Sequence, residues 1–208
     1  MVEKQIRRRG IRDPRVLAAM ESVPRHEFVP EKHRANAYDD SPLPIGEGQT
    51  ISQPYIVAAM TAALQLEGNE RVLEIGAGCG YQAAILSLLA SEVFTVERSS
   101  ALANTAAKRL ARLGYHNVHV HCGDGTLGLP EFALFDAILV GASAPDVPAP
   151  LVAQLAEGGR MILPIGDSEN QELRLIERVW DGFRTQALDP CRFVRLIGRH
   201  GWKDSQPE

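Results

Sequence analysis

Cysteine is scarce in this chain. Its 208 residues include three, Cys79, Cys122 and Cys191, widely spaced and without a CxxC pair. An odd set of this kind excludes a disulfide framework and reads as reduced thiols, so a cytoplasmic protein is expected. No run of about 18 uncharged apolar residues occurs, which excludes a membrane-spanning helix. The first ten residues, Met1 to Gly10, are charged and lack an apolar core, so no signal peptide is expected. A basic excess is also missing. With 22 basic against 26 acidic residues the net charge is −4, which argues against a nucleic-acid partner. Internal repeats and low-complexity stretches are absent. What remains, 45% apolar and 23% charged, is ordinary for a globular chain that buries one core.

The pattern along the chain changes character twice. Helical spacing covers residues 3–9 and 14–22, the second run opened by Asp13-Pro14, an N-cap followed by proline at the first helical position. The arginines at 7, 8, 9, 12 and 15 read as a solvated helix face. From Pro24 to Pro54 the sequence is irregular, with prolines and glycines crowded after Pro42. A loop of that length is more than a connection. A helix is predicted from Pro54 to about Leu66. Then apolar runs at 71–75, 92–96, 117–121 and 136–140 alternate with helical patterns at 80–90, 99–113 and 147–156. Such alternation predicts a parallel sheet with helices on both faces. Later strands are expected at Arg160–Pro164 and Glu172–Trp180, with a last short one near Arg192–Leu196 and a disordered tail after Trp202.

The chemistry concentrates where strands end. Val72-Leu73-Glu74-Ile75 runs straight into Gly76, Gly78 and Gly80, and a helical pattern follows. A strand, a tight turn and a helix start let a ligand approach bare backbone. A dinucleotide fingerprint would place its third glycine at position 81, which is Tyr, so a nicotinamide dehydrogenase is disfavoured. The Gly-x-Gly-x-Gly spacing after an acidic strand residue suits S-adenosylmethionine instead. The second strand delivers Glu97, about 20 residues after the glycines, where a carboxylate can accept both ribose hydroxyls. The third delivers Asp124 between Gly123 and Gly125, within reach of an adenine amino group. The fourth ends in Gly141-Ala142-Ser143-Ala144-Pro145, small residues that leave room for a reacting group.

Each has a plainer reading: Glu97 as a helix N-terminal acid, Asp124 as a turn residue. Glu74 is harder to dismiss, because a carboxylate inside an apolar strand is costly unless paired or serving a ligand. His116, His119, His121 and Cys122 lie close together, but strand alternation sends His119 and His121 to one face with no second ligand cluster, so no metal is expected. Cys191 after Pro190 is weak evidence for a nucleophile, and Gly141–Pro145 lacks the last glycine of a nucleophile elbow.

Together with the long loop, these residues resemble protein-L-isoaspartate O-methyltransferases. The most telling string is Pro42-Leu43-Pro44-Ile45-Gly46-Glu47-Gly48-Gln49-Thr50-Ile51-Ser52-Gln53-Pro54, similar to that family's active-site loop and not shared by methyltransferases at large. Val23–Pro30, Ala37-Tyr38, Phe135–Ile138, Ala144-Pro145 and Gly158–Gly166 also match in order, so the likeness covers roughly residues 1–200. It implies a Rossmann-like α/β methyltransferase fold with a mostly parallel, doubly wound sheet and added N-terminal helices. The expected organisation is one domain, 1–208: N-terminal helices and active-site loop in 1–55, cofactor core in 56–166, and strands completing the sheet in 167–202.

By the same resemblance, Ser52 is the active-site residue, and Gln49, Thr50 and Ile51 cover cofactor and substrate. Gly76, Gly78, Glu97, Asp124 and Gly125 match cofactor positions, with Glu74 and Arg98 beside them. Arg195 departs from the family, where proline is expected, and puts peptide preference there in question. The implied cofactor is S-adenosylmethionine with no metal. The implied partners are isoaspartyl proteins and peptides, met by a monomer, with methylation leading through a succinimide toward normal aspartate. A small-molecule methyltransferase would share the glycine loop but would not need Gln49–Pro54. A non-catalytic S-adenosylmethionine-binding protein is the alternative from another class.

Overall fold

A computed structural model describes residues 1–167 and 169–204. Helices α1 (Pro14–Ser22), α2 (Pro54–Ala63), α3 (Tyr81–Ser87), α4 (Ser100–Arg112) and α5 (Ala149–Ala153) pack around a sheet. Strands β1 (Leu43–Gly46) and β2 (Gln49–Ile51) form a separate hairpin, while β3 (Arg71–Ile75), β4 (Glu92–Glu97), β5 (Val118–Cys122), β6 (Phe135–Val140), β7 (Leu155–Gly166), β8 (Gln171–Val179) and β9 (Gly182–Cys191) form the sheet. Its order is β5-β4-β3-β6-β7-β8-β9, parallel from β5 to β7 and antiparallel across β8 and β9. The chain winds outward from β3 to β5, then returns to β6 beside β3. That reversal opens a crevice at the carboxyl ends of β3 and β6, the place where such sheets bind ligands.

Strand periodicity sorts the core. Val72 packs on the face covered by α1 to α4, while Leu73 and Ile75 face the other cluster with Phe135, Ile138 and Leu151. Glu74 therefore shares the Val72 face, a buried carboxyl among mostly apolar neighbours with Thr95 beside it on β4. Strands β3, β4 and β6 are buried on both sides and read as nearly continuous apolar runs for that reason, while the edge strand β5 alternates valine with histidine and stays partly exposed.

Several expectations need correction. The region from Pro24 to Pro54 contains the β1–β2 hairpin, whose Glu47-Gly48 turn has φ of 51° and 66°, the left-handed pair of a type I′ turn that suits strand twist. Sequence periodicity missed it because four-residue and three-residue strands are too short to alternate visibly. Residues 2–9 wind as tighter and looser turns rather than one α-helix. The 147–156 helix contracts to α5. Gly158 and Gly159 lie inside β7 instead of preceding it. The last strand is β9; residues 192–196 cross the top of the sheet as an irregular strap. There Ser143 donates to the Val194 carbonyl and the Leu196 amide donates to Ser143, both at 2.8 Å. The side chain of Gln171 brackets Phe193 from the other side, accepting from its amide at 2.7 Å and donating to its carbonyl at 3.2 Å. The expected disordered tail falls mostly on residues 205–208, outside the described residues, while Asp204 pairs with Arg98 at 2.7 Å.

Gly80 couples the glycine loop to the helices behind it. Its φ is +88°, and a Cβ there would sit 3.1 Å from Leu110 of α4. Gly80→Ala is expected to lower unfolding free energy by about 1–3 kcal/mol, from backbone strain plus crowding. Urea denaturation checks this.

Candidate active site

The glycine loop is held open from below. The amides of Gly76 and Ala77 both donate to the Val96 carbonyl, at 2.8 and 3.2 Å, and the Gly141 amide donates to Ile75 at 2.7 Å. Glu97 finishes the clamp: one carboxylate oxygen accepts from the Gly78 amide at 2.8 Å and the other from Ser99 at 2.9 Å. An ionised carboxylate offers about four acceptor directions, so two remain for a ligand. The cleft over this loop measures about 490 Å³, inside the roughly 300–1,000 Å³ range of small-molecule sites. Gln49 and Thr50 form one wall, Glu97 and Arg98 another, and Gly125 with Arg195 a third.

Asp124 turns elsewhere. Its Oδ1 accepts from the Thr126 amide and hydroxyl, at 2.9 and 2.7 Å, and its Oδ2 accepts from the Arg199 amide at 2.8 Å. Burial works to raise its pKa, but those bonds outweigh it and the group sits below the ordinary range. In this conformation the carboxylate pins the C-terminal segment behind the cleft rather than lining it. Arg98 lines the cleft while its guanidinium pairs with Asp204. Arg195 lies 5.2 Å over the Trp202 ring.

A second, inner cavity lies between the glycine loop and α2. Glu74 forms part of its wall and is 1% exposed. Thr95, its partner across β4, donates to Oε2, and Oε1 has no partner among the described residues. Burial pushes the Glu74 pKa up to about 8, opposed by the Thr95 bond and assisted by the charge of Glu97. At neutral pH Glu74 is therefore mostly a neutral acid.

Ser52 stands at the join between that cavity and an outer groove. It lines the inner cavity with Gly76 and Gly78, and it lines the groove of about 640 Å³ with Tyr55 and Arg192. Its backbone carbonyl accepts from the Arg25 guanidinium at 2.7 Å. The next residues begin α2, with Pro54 at the first turn and no side chain capping the helix. The amides of Tyr55 and Ile56 have no intrahelical acceptor, so they add the partial positive charge of a helix N-terminus to the serine hydroxyl. Neither thiol nearby competes: burial raises Cys79 and Cys191 each to about 11, which keeps both protonated and rules out Cys191 as a ready nucleophile.

The structure thus brings Gln49, Thr50, Ile51, Ser52, Glu74, Gly76, Gly78, Glu97, Arg98 and Gly125 around connected cavities and leaves Asp124 behind the wall. Ile51 is mostly core, buried beneath the hairpin. Sequence reasoning overlooked Ser99 and Phe193, and the uncapped start of α2. Only the Gln53-Pro54 junction, which offers no Ser, Thr or Asp at the N-cap, signalled the last.

Comparison with known proteins decides the family. A model of the protein-L-isoaspartate(D-aspartate) O-methyltransferase family matches residues 1–201. The chain belongs to this family. Protein-L-isoaspartate O-methyltransferase 1 of Rhodopseudomonas palustris (strain HaA2) is 56% identical over 210 residues, covering 100% of this chain and 86% of the relative. The Roseiflexus sp. (strain RS-1) protein-L-isoaspartate O-methyltransferase is 58% identical over 194 residues, covering 93% and 89%. A solved protein-L-isoaspartate O-methyltransferase superposes with a TM-score of 0.88 at 32% identity, over 97% of this chain and 67% of that one. A Plasmodium falciparum structure of the family, in complex with S-adenosyl-L-homocysteine, gives 0.82 at 29% identity, over 94% and 96%.

Protein-L-isoaspartate O-methyltransferases use S-adenosylmethionine, and the cleft of this chain fits it. The loop glycines leave bare backbone at the crevice, Glu97 keeps acceptor capacity, and a Cβ at Gly125 would come 2.4 Å from Ile75, so the cradle is already closed to a side chain. Among the described residues no group of three metal-ligating side chains comes together.

Two outcomes follow. Glu97→Ala should raise the dissociation constant for S-adenosylmethionine about 10-fold or more, as expected when a charge-assisted bond of roughly 1.5–3 kcal/mol is lost. Isothermal titration checks it, and unchanged affinity would remove Glu97 from the cofactor. Glu74 has a folded pKa above its unfolded one, so its contribution to stability is full below about pH 4.5 and is lost as pH rises toward 8. Glu74→Gln removes that titration, and its melting temperature relative to wild type should climb between pH 5 and 8. A flat difference across that window would contradict the neutral acid.

Proposed function

We propose that Ser52 and the N-terminus of α2 seat the free carboxylate of an L-isoaspartyl residue against the methyl donor held over the glycine loop. The observation that carries this is the position of Ser52, shared by the cavity at Gly76–Gly78 and the outer groove. The enzyme is a protein-L-isoaspartate O-methyltransferase, and its product esters lead toward repair of aged proteins. When bound, S-adenosylmethionine supplies an electrophilic methyl group on a sulfonium. The protein has little acid–base work to do, because an ordinary carboxylate with a pKa near about 4 is already anionic at neutral pH. Its contribution is orientation and dryness. Ser52 donates a hydrogen bond that fixes one carboxylate oxygen, and the free amides of Tyr55 and Ile56 favour the negative charge.

Gln49, Thr50 and Ile51 shield the cleft from water as the second strand of the hairpin. Glu97, Gly76, Gly78 and Gly125 hold the nucleoside end, with Arg98 at the mouth and Glu74 under the reacting end. Asp124 joins the cofactor set through the one acceptor direction that its Oδ2 keeps beside the Arg199 amide. The groove beside Ser52 suits an extended peptide, and gripping the extra backbone methylene of isoaspartate distinguishes it from aspartate. We further assign one methyltransferase domain, 1–208, divided at about 55 and 166, acting as a cytoplasmic monomer without nucleic-acid or membrane partners. The net charge of −4 supports this, and among the described residues no helix is long and apolar enough to cross a membrane.

Radiolabelled methyl transfer to an isoaspartyl peptide, set beside its aspartyl twin, tests the reading. Strong labelling of the first alone is expected; equal labelling of both, or of neither, would sink it. Ser52→Ala should lose most turnover while its affinity for S-adenosylmethionine stays within about threefold, since the serine contributes to orientation rather than to cofactor binding.

A further inference from the structure

The Val23–Pro30 and Ala37-Tyr38 segments match the family, yet they line neither the cofactor cleft nor the peptide groove. Arg25 gives them a task. It is 0% exposed and, among the described residues, meets no carboxylate at ion-pair distance. Its Nε donates to the Ala37 carbonyl and its Nη2 to the Ser52 carbonyl, both at 2.7 Å, while Nη1 has no partner among the described residues. The guanidinium sits 4.9 Å over the ring of Tyr81, which is itself held edge-on by Phe28 at 5.4 Å. Burial lowers the Arg25 pKa, and Tyr81 works to restore it.

A buried cation with no counter-ion is expensive, and an apolar residue could fill the same volume. What a guanidinium adds is a rigid fork that reaches two carbonyls at fixed angles through charge-assisted bonds. One of those carbonyls belongs to Ser52. Resting on the assignment of Ser52 above, we propose that Arg25 is a positioning residue for methyl transfer, holding the Ser52 peptide unit so that the hydroxyl meets the substrate carboxylate. It touches neither substrate nor cofactor. Tyr81, Phe28 and Ala37 form the seat that keeps the fork aimed.

A double-mutant cycle tests this with wild type, Arg25→Lys, Ser52→Ala and the double variant, measured on an isoaspartyl peptide at saturating S-adenosylmethionine. Lysine keeps the charge but not the fork. Arg25→Lys should lower kcat by roughly 10- to 100-fold, the scale of a ~1 Å misplacement, with KM changed much less. Affinity for S-adenosyl-L-homocysteine should stay within about threefold. In the Ser52→Ala background the same substitution should lower kcat by less than about threefold, because the group it positions is gone. Multiplicative losses, or cofactor affinity falling in step with kcat, would overturn the assignment and leave Arg25 a general support of the fold. If Arg25→Lys does not fold, wild-type protein decides. The buried Nε–H of Arg25 should give a ¹⁵N–¹H resonance that shifts on adding isoaspartyl peptide with S-adenosyl-L-homocysteine, but not on adding the aspartyl peptide. No shift overturns the proposal. A wild-type enzyme inactive on isoaspartyl peptide counts against the functional reading, whereas an active one with a multiplicative cycle counts against Arg25 alone.

Discussion

The Gly78 amide donates to Glu97 at 2.8 Å, and on its other side Gly78 carries no side chain where Ile45 of the hairpin comes down. A Cβ at Gly78 would lie 3.2 Å from the Ile45 Cδ1. This close approach packs the β1–β2 hairpin onto the glycine loop, the two elements between which we propose that methyl transfer takes place. Methyl transfer between a sulfonium and a carboxylate is governed by the placement of the two groups and by the exclusion of water, more than by proton movement. The hairpin, the glycine loop and the start of α2 therefore act as one unit.

Several buried polar groups around that unit lack hydrogen-bond partners among the described residues. Glu74 Oε1, Arg25 Nη1 and the Tyr81 hydroxyl have no hydrogen-bond partner among the described residues, and all three belong to side chains beside the inner cavity or behind Ser52. Such groups are costly in a fold that satisfies most of its polar atoms. Gln5 Oε1, His33 Nε2 and Asp40 Oδ1 are also unpartnered among the described residues, so such atoms are not confined to this unit; Glu74 and Tyr81 are the two of these residues that line the inner cavity beside the glycine loop. Glu74 as a neutral acid spares the cavity a second fixed negative charge next to Glu97.

Much of this was legible from residue pattern. The alternation of apolar runs and helical spacing located β3, β4 and β6, because parallel strands buried on both faces leave a continuous apolar run. It also located the half-exposed edge strand β5, where valine alternates with histidine. The glycines and Glu97 were legible from the residue types at strand ends, whereas Ser52 came only from the resemblance to the family's loop; the structure sets Gly76, Gly78, Glu97 and Ser52 along neighbouring cavities. The hairpin was not, since β1 and β2 are short and their turn depends on Glu47 and Gly48 adopting left-handed φ rather than on an Asn-Gly signal. The strap at 192–196 was mistaken for a strand because Phe193, Val194 and Leu196 are apolar for another reason: they cover the top of the sheet. Asp124 shows the limit of position-based reasoning. It stands at the expected strand end, but its oxygens accept from neighbouring Thr126 and from the amide of Arg199, a partner distant enough in sequence that no local pattern reveals it.

The central claim is that Ser52 and the first amides of α2 hold the isoaspartyl carboxylate at the mouth of the cofactor cleft. A crystal structure of this protein with S-adenosyl-L-homocysteine and an isoaspartyl peptide tests it most directly. The account predicts a carboxylate oxygen within about 2.6–3.2 Å of the Ser52 hydroxyl, with the peptide running along the groove beside Tyr55 and Arg192. A carboxylate bound away from Ser52, or a peptide lying outside that groove, would contradict it.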